Sequence, residues 1–207
     1  IKNRGVVAPC SATLVAPDKA LTAAQCLRSI SSASGFTPPE QIYVQFPGKK
    51  VASVLSYKIG QEYTGKNIEM PDRIIDNWAI LTLRDPIITR LSFDLAGQPV
   101  NENETLISAG YLYDKIVRFS GFENCRFVNA EIAEFFLEHG GDEGSYRVHN
   151  CEMWDRAAGI PIFSRRDDDK FQIHALHNTV IGAYNYALGV AVPVSRISLK
   201  NGRIPYQ

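Results

Sequence analysis

Ten short runs rich in β-branched and aromatic residues, each ended by turn-forming residues, dominate this chain and restrict it to an all-β architecture. They are "ATLVA", "KALTAA", "QIYVQF", "WAILTL", "TLISAGY", "CRFVNA", "SYRVHNC", "IPIFS", "FQIHALH" and "YALGVAVPV", punctuated by "APDK", "FPGKK", "GGDEG", "RRDDDK" and "KNGR". None alternates with a helix of βαβ length, so the expected architecture is a sandwich or a pair of barrels. A little helix fits two places. "TAAQCLRSI" can turn helically after Thr22, and "NAEIAEFFLEHGG" carries Ile132, Phe135, Phe136 and His139 ahead of a glycine stop. There is no repeat and no low-complexity linker. "LRDPIITRLSFDLAGQPVNENE" reads as the connection between two halves.

Composition sets limits on partners. The chain has 207 residues, 45% of them hydrophobic, enough for a substantial core in one domain or two small ones. Its 22 basic and 22 acidic residues balance, so no long-range field steers it to nucleic acid or to an anionic membrane. Recognition must then rest on local shape. No apolar run approaches the roughly 20 residues needed to span a bilayer. "IKNRGVVAPC" lacks a signal peptide's charged start and apolar stretch, so a leader, if the protein is exported, has already gone.

Four cysteines, Cys10, Cys26, Cys125 and Cys151, include no CxxC pair, which argues against a zinc or redox site, and no cofactor is implied. Of the three possible pairings, Cys10 with Cys26 and Cys125 with Cys151 each bracket a strand-turn-strand reading. Two such bridges contribute about 3 kcal/mol each and place the protein outside the reducing cytosol, secreted or periplasmic. The alternative is four free buried thiols in a cytosolic protein.

Three segments carry a family resemblance. "CSATLVAPDKALTAAQC" resembles the first barrel of the trypsin-like serine proteases, particularly their bacterial, glutamyl-endopeptidase-like branch, where "LVAP" is followed by "LTAAHC". "DNWAILTL" resembles the family's "DWALLxL" strand, and "HNCEMWDRAAGIPIF" resembles its "GxSGxPLF" turn. Order and spacing fit, and with "GYLYD" and "IHALHN" the similarity covers nearly the whole sequence. The resemblance implies a chymotrypsin-like fold of two antiparallel six-stranded β-barrels, residues 1–95 and 96–207, with the family's active site between them.

Each role in that site has a strict chemical type. A serine hydroxyl needs an imidazole to take its proton, and the imidazole needs an acceptor at its other nitrogen. At the histidine position stands Gln25, whose amide neither accepts nor returns a proton near neutral pH. The aspartate position is Asn77. Asp76 is one residue earlier, which in a strand points to the opposite face. Counting back from Pro161 places Ala158 where the nucleophile belongs. The glycine that builds the oxyanion hole is replaced by Arg156, and the small residue before the proline by Ile160, so an occluded hole is expected. The neighbour of the nucleophile position is Ala157, which cannot pair with a freed Ile1 amine, so no zymogen switch is expected and Ile1 is expected to have no activating role.

Other residues offer little chemistry. His174 and His177 lie three apart in an extended segment and should face opposite ways, making them poor metal co-ligands. His149 and His139 read as packed or exposed structural residues. Ser11, Ser164 and Ser195 have no histidine in a recognisable partner segment, and Arg165 to Lys170 read as a solvated hairpin tip. Trp78 and Trp154 are expected in or beside the cleft. The resemblance puts Leu176, His177 and Asn178 on one wall of the former specificity pocket, expected to be too blocked for an extended peptide. Phe135 and Phe136, in the insert "AEIAEFFLEHGGDEG", are either packed inward or partner-facing. The implied function is that of a non-catalytic protease homologue that binds another protein as regulator, adaptor, decoy or host-interaction factor. Two alternatives are a hydrolase with relocated residues such as Asp76, Asp155 or a histidine, and a structural piece of a larger assembly.

Overall fold

Strand pairing sorts the chain into two sheets. The computed structural model describes residues 2–3, 10–29, 35–46, 51–61, 63, 76–89, 93–96, 100, 104–113, 117–128, 146–151, 157–166, 170–181 and 188–197. The first sheet holds β1 (Lys2–Asn3), β2 (Thr13–Ala16), β3 (Lys19–Thr22), β4 (Ile42–Gln45), β5 (Val51–Ile59) and β6 (Ala79–Leu83), in the spatial order β1-β4-β5-β6-β3-β2. The second holds β8 (Leu106–Tyr113), β9 (Val117–Cys125), β10 (Arg147–His149), β11 (Pro161–Arg165), β12 (Phe171–Ile181) and β13 (Leu188–Pro193), in the order β10-β13-β12-β11-β8-β9. A seventh strand, β7 (Phe93–Leu95), adds to β12 in parallel. Both sheets curl into half-barrels, and with almost no helix they fit a chymotrypsin-like double barrel.

The expectation of six strands per sheet holds for the first and is corrected to seven in the second. Phe93–Leu95 lies in the stretch read from sequence as a plain connection. It is a strand because Phe93 stacks on Phe171 and meets Phe163 edge-on, so three rings hold the pairing together. "CRFVNA" is also corrected: β9 ends at Cys125, and among the described residues that follow it Phe127 forms a single bridge with His149. That bridge matters for the architecture. Val128 N–H donates to the Val148 carbonyl at 2.9 Å and Asn150 N–H to the Arg126 carbonyl at 3.2 Å, so the continuation of β9 pairs with β10. The two ends of the strand order meet there. The Cys125–Cys151 disulfide sits at that seam, and Cys10–Cys26 ties the start of the first sheet to the turn after β3, both as paired from sequence. That turn is one 3-10 turn, Ala24–Leu27.

Apolar alternation explains how the sheets associate. In β3, Ala20 enters the first sheet's core with Ile42, Val54 and Leu81, while its neighbour Leu21 joins Trp78 in a cluster with Phe163, Leu176 and Val192 of the second sheet. In β11, Ile162 turns instead towards Leu106 and the seam disulfide. The second sheet is therefore buried on two sides, one under its own seam and one against the first sheet. Trp78 is the largest fully buried side chain of that junction. No helix among the described residues is long and apolar enough to cross a membrane. Ile1, His139, Phe135, Phe136, Trp154, Asp155 and Arg156 lie outside the described residues, and with them the readings of the insert and of the oxyanion-hole position.

Candidate functional site

The three positions that the resemblance assigns to the catalytic triad converge at the junction of the sheets. Asp76 adopts a left-handed backbone, φ 52°, and its carbonyl accepts from Trp78 N–H at 2.7 Å. This tight turn before β6 directs Asn77 towards the Ala24–Leu27 turn. Gln25 N–H donates to Asn77 Oδ1 at 2.9 Å, and Asn77 Nδ2 donates to Gln25 Oε1 at 3.0 Å. Gln25 Nε2 then crosses to the second sheet and donates to the Asn178 carbonyl at 2.8 Å.

Backbone groups fix the orientation of both amides. A carbonyl only accepts, so the end of Gln25 facing Asn178 must be its NH2. Its oxygen is then turned to Asn77, which must answer with its own NH2 and offer its oxygen to the Gln25 N–H, a group that only donates. The chain of bonds is self-consistent in one arrangement alone. It contains no group that changes protonation between pH 2 and 12.

Ala158 closes the same region. Its methyl is buried with Ala23 and Cys26, the neighbours of Ala24 and Gln25. Its carbonyl accepts from Ser11 N–H at 2.9 Å, and Thr22 Oγ1 donates to the Ser11 carbonyl at 2.7 Å. Gly159, at φ +82°, turns the chain so closely that a Cβ would overlap the Ser11 carbonyl oxygen. Gly159 N–H donates to the His177 carbonyl and His177 N–H to the Ile160 carbonyl, both at 2.8 Å. Ile160 is 2% exposed and packs into the second core, filling space within the fold.

Leu176, His177 and Asn178, which the resemblance assigns to a pocket wall, are all buried. Asn178 is the bulged residue of β12, where the pairing with β13 shifts register between His177 and Thr179. Its side-chain Oδ1 and Nδ2 are buried with no hydrogen-bond partner among the described residues. His177 Nδ1 meets His149 Nε2 at 3.0 Å, with the two rings edge-on. The contact passes over β13, because His149 pairs with Gly189 and a Cβ there would overlap the imidazole. Gly189→Ala is expected to destabilise the protein by about 1–3 kcal/mol through overpacking. A lower urea midpoint at unchanged slope is the readout.

One reading from sequence is overturned. Ser164, taken to have no histidine partner, lies 2.8 Å from His174 Nε2 across the β11–β12 hairpin. Glu104 Oε1 is 3.8 Å from the same nitrogen. A serine, a histidine and a carboxylate thus meet, but not as a relay. A triad needs the acid on the opposite nitrogen, and His174 Nδ1 is buried with no hydrogen-bond partner among the described residues. A bare lone pair there is cheaper than an orphaned N–H, and Glu104 favours a proton on Nε2. That tautomer donates to Ser164 and cannot take its proton. Burial, partly offset by Glu104, holds His174 below the usual histidine range.

Elsewhere, Ser11 Oγ accepts a structural bond from Tyr111 N–H at 2.8 Å, and Ser195 is the exposed residue of the 3-10 turn Val194–Arg196. His174 and His177 are engaged separately, with Ser164 and His149. Among the described residues, no group of three or more His, Cys, Asp or Glu side chains is placed to hold a metal. No protein-family model matches the chain, and no curated protein matches its sequence.

Proposed function

We propose that this chain is a non-catalytic homologue of the trypsin-like serine proteases that works outside the reducing cytosol by binding another protein. The reading rests on one observation above all. Where the family resemblance requires a base and its orienting acid, two neutral amides bond each other and the Asn178 carbonyl, beside an alanine at the nucleophile position. Nothing at that point moves a proton or forms an acyl bond. The two-sheet architecture and the two disulfides are compatible with such a secreted or periplasmic scaffold. The surface left for function is recognition, by the former cleft or by loops around it, in the manner of a regulator, adaptor or decoy.

The test is a broad ester and peptide hydrolysis screen together with labelling by a fluorophosphonate. No turnover and no covalent adduct are expected. Labelling that disappears in Ser164→Ala would instead move the chemistry to the Ser164–His174 pair and make the protein a hydrolase with relocated residues. Capture of a specific protein by the purified chain from its native extracytoplasmic fluid is the positive counterpart.

A further inference from the structure

We propose that the Cys10–Cys26 disulfide is a redox-operated hasp on the junction of the sheets, and that its reduction by a dithiol loosens the end around Ala158 while the seam bridge stays closed. This goes beyond the binding role and does not depend on it. Two residues beside the bridge carry hydrogen bonds from the side of the first sheet to the second. Ser11, next to Cys10, donates its N–H to the Ala158 carbonyl at 2.9 Å, and its Oγ accepts from Tyr111 N–H of β8 at 2.8 Å. Gln25, next to Cys26, donates from Nε2 to the Asn178 carbonyl of β12 at 2.8 Å. The bridge therefore joins the two crossings to each other.

That connection changes how the junction opens. Ser11 is buried, Thr22 Oγ1 donates to its carbonyl, and Cys10, Ala23, Cys26 and Ala158 pack as one small cluster. With the bridge closed, Cys10 cannot draw Ser11 away from Ala158 unless the Ala24–Leu27 turn, and Gln25 with it, moves too. Both crossings must break together. With the bridge open each breaks by itself, and the opened segment regains chain freedom that the crosslink denied it. For a sequence separation of 16, the whole of that freedom corresponds to on the order of a hundredfold in an opening equilibrium. A local opening frees only part of it, so about tenfold is expected. The cluster of Leu21, Trp78 and Leu176 contains neither cysteine, so the sheets stay associated and only this end loosens.

Access makes the response selective. Cys10 is half-buried, whereas Cys26, Cys125 and Cys151 are all buried. A reductant's thiolate therefore meets Cys10 before either half of the seam bridge. It attacks Cys10 Sγ, the S–S bond breaks with its electron pair passing to Cys26 Sγ, which takes up a proton, and the second thiol of the reductant then displaces the Cys10 sulfur. Two cysteine thiols and one oxidised dithiol result.

The test treats the whole oxidised chain with increasing dithiothreitol, traps the freed thiols by alkylation and reads each bridge from peptide masses. Cys10–Cys26 is expected to open at a lower concentration than Cys125–Cys151. With only the first bridge reduced, hydrogen exchange should be about tenfold faster at Ser11 and Tyr111, whose N–H groups make crossing bonds, while β6 and β13 keep their protection. Re-oxidation should restore the slow exchange. Cys10→Ala/Cys26→Ala should exchange fast at both amides without reductant, and respond no further to it while the seam bridge is closed. The proposal is overturned by a seam bridge that opens first or in step, by exchange at Ser11 and Tyr111 that reduction leaves unchanged, or by β6 and β13 loosening along with them. A double variant protected like the wild type overturns it too. If that variant does not fold, the wild-type arm decides alone.

Discussion

Replacing Cys125 and Cys151 together by alanine is expected to cost about 2–5 kcal/mol, seen as a fall of roughly 4–20 °C in Tm for a chain of this size. Loop entropy alone does not single this bridge out. The sequence separations are 26 for Cys125–Cys151 and 16 for Cys10–Cys26, which in the chain-entropy picture correspond to roughly 3.5 and 3.1 kcal/mol. The difference lies in position. Cys125–Cys151 spans the seam where the continuation of β9 meets β10 through Val128 and Asn150. Without it, two ends of the sheet are joined there by a few backbone bonds and the Arg126 N–H bond to Asn150 Oδ1 at 2.8 Å. The seam variant should therefore lose more stability than Cys10→Ala/Cys26→Ala, with exchange protection lost first at Val128 and Asn150. Equal losses for the two variants would mean that the seam adds nothing beyond the shortened unfolded chain.

The pattern that carried the all-β reading was strongest where both neighbours of a strand are paired. "WAILTL" and "YALGVAVPV" became β6 and β13, because a residue row buried by two neighbours needs β-branched or small apolar side chains. Two long strands escaped notice. β5 contains a register shift midway, between Val54 and Ser56, and β9 one near its end, between Phe122 and Cys125, and each shift interrupts the alternation. At the candidate site, the resemblance named Gln25, Asn77 and Ala158 from motif spacing alone, and the structure brings these three positions together at the junction of the sheets. Their mutual geometry was not legible. That Gln25 reaches Asn178 depends on a bulge in β12, and the Ser164–His174 and His149–His177 pairs depend on strand register, which hydrophobic pattern alone does not specify. A hairpin reading of "IFSRRDDDKFQIH" could have placed Ser164 opposite the His174 region. Nothing in the sequence flagged Gly189 as the gap through which two histidines meet.

Gln25→Ala is the second large effect, with an expected loss of about 2–4 kcal/mol, because the side chain serves buried groups on both sheets. Truncation removes the acceptor for Asn77 Nδ2 and the donor on the Asn178 carbonyl, while the bond from Gln25 N–H to Asn77 Oδ1 stays possible. A double-mutant cycle separates the two sides. Coupling between Gln25→Ala and Asn77→Ala measures the amide pair, for which roughly 1–3 kcal/mol is expected from residues in direct contact. The cost of Gln25→Ala in the Asn77→Ala background measures what remains, the tie to Asn178 across the junction. If that remainder is near zero, Gln25 fastens only its own half, and the closed arrangement of the two sheets around Ala158 must come from the apolar cluster of Leu21, Trp78 and Leu176 instead. If it is about 1–2 kcal/mol, Gln25 is a clasp between the sheets, and a neutral amide suits the place. An imidazole there would present a titrating nitrogen to a backbone carbonyl, and the bond to Asn178 would depend on pH, whereas the amide donates at every pH at which the protein folds.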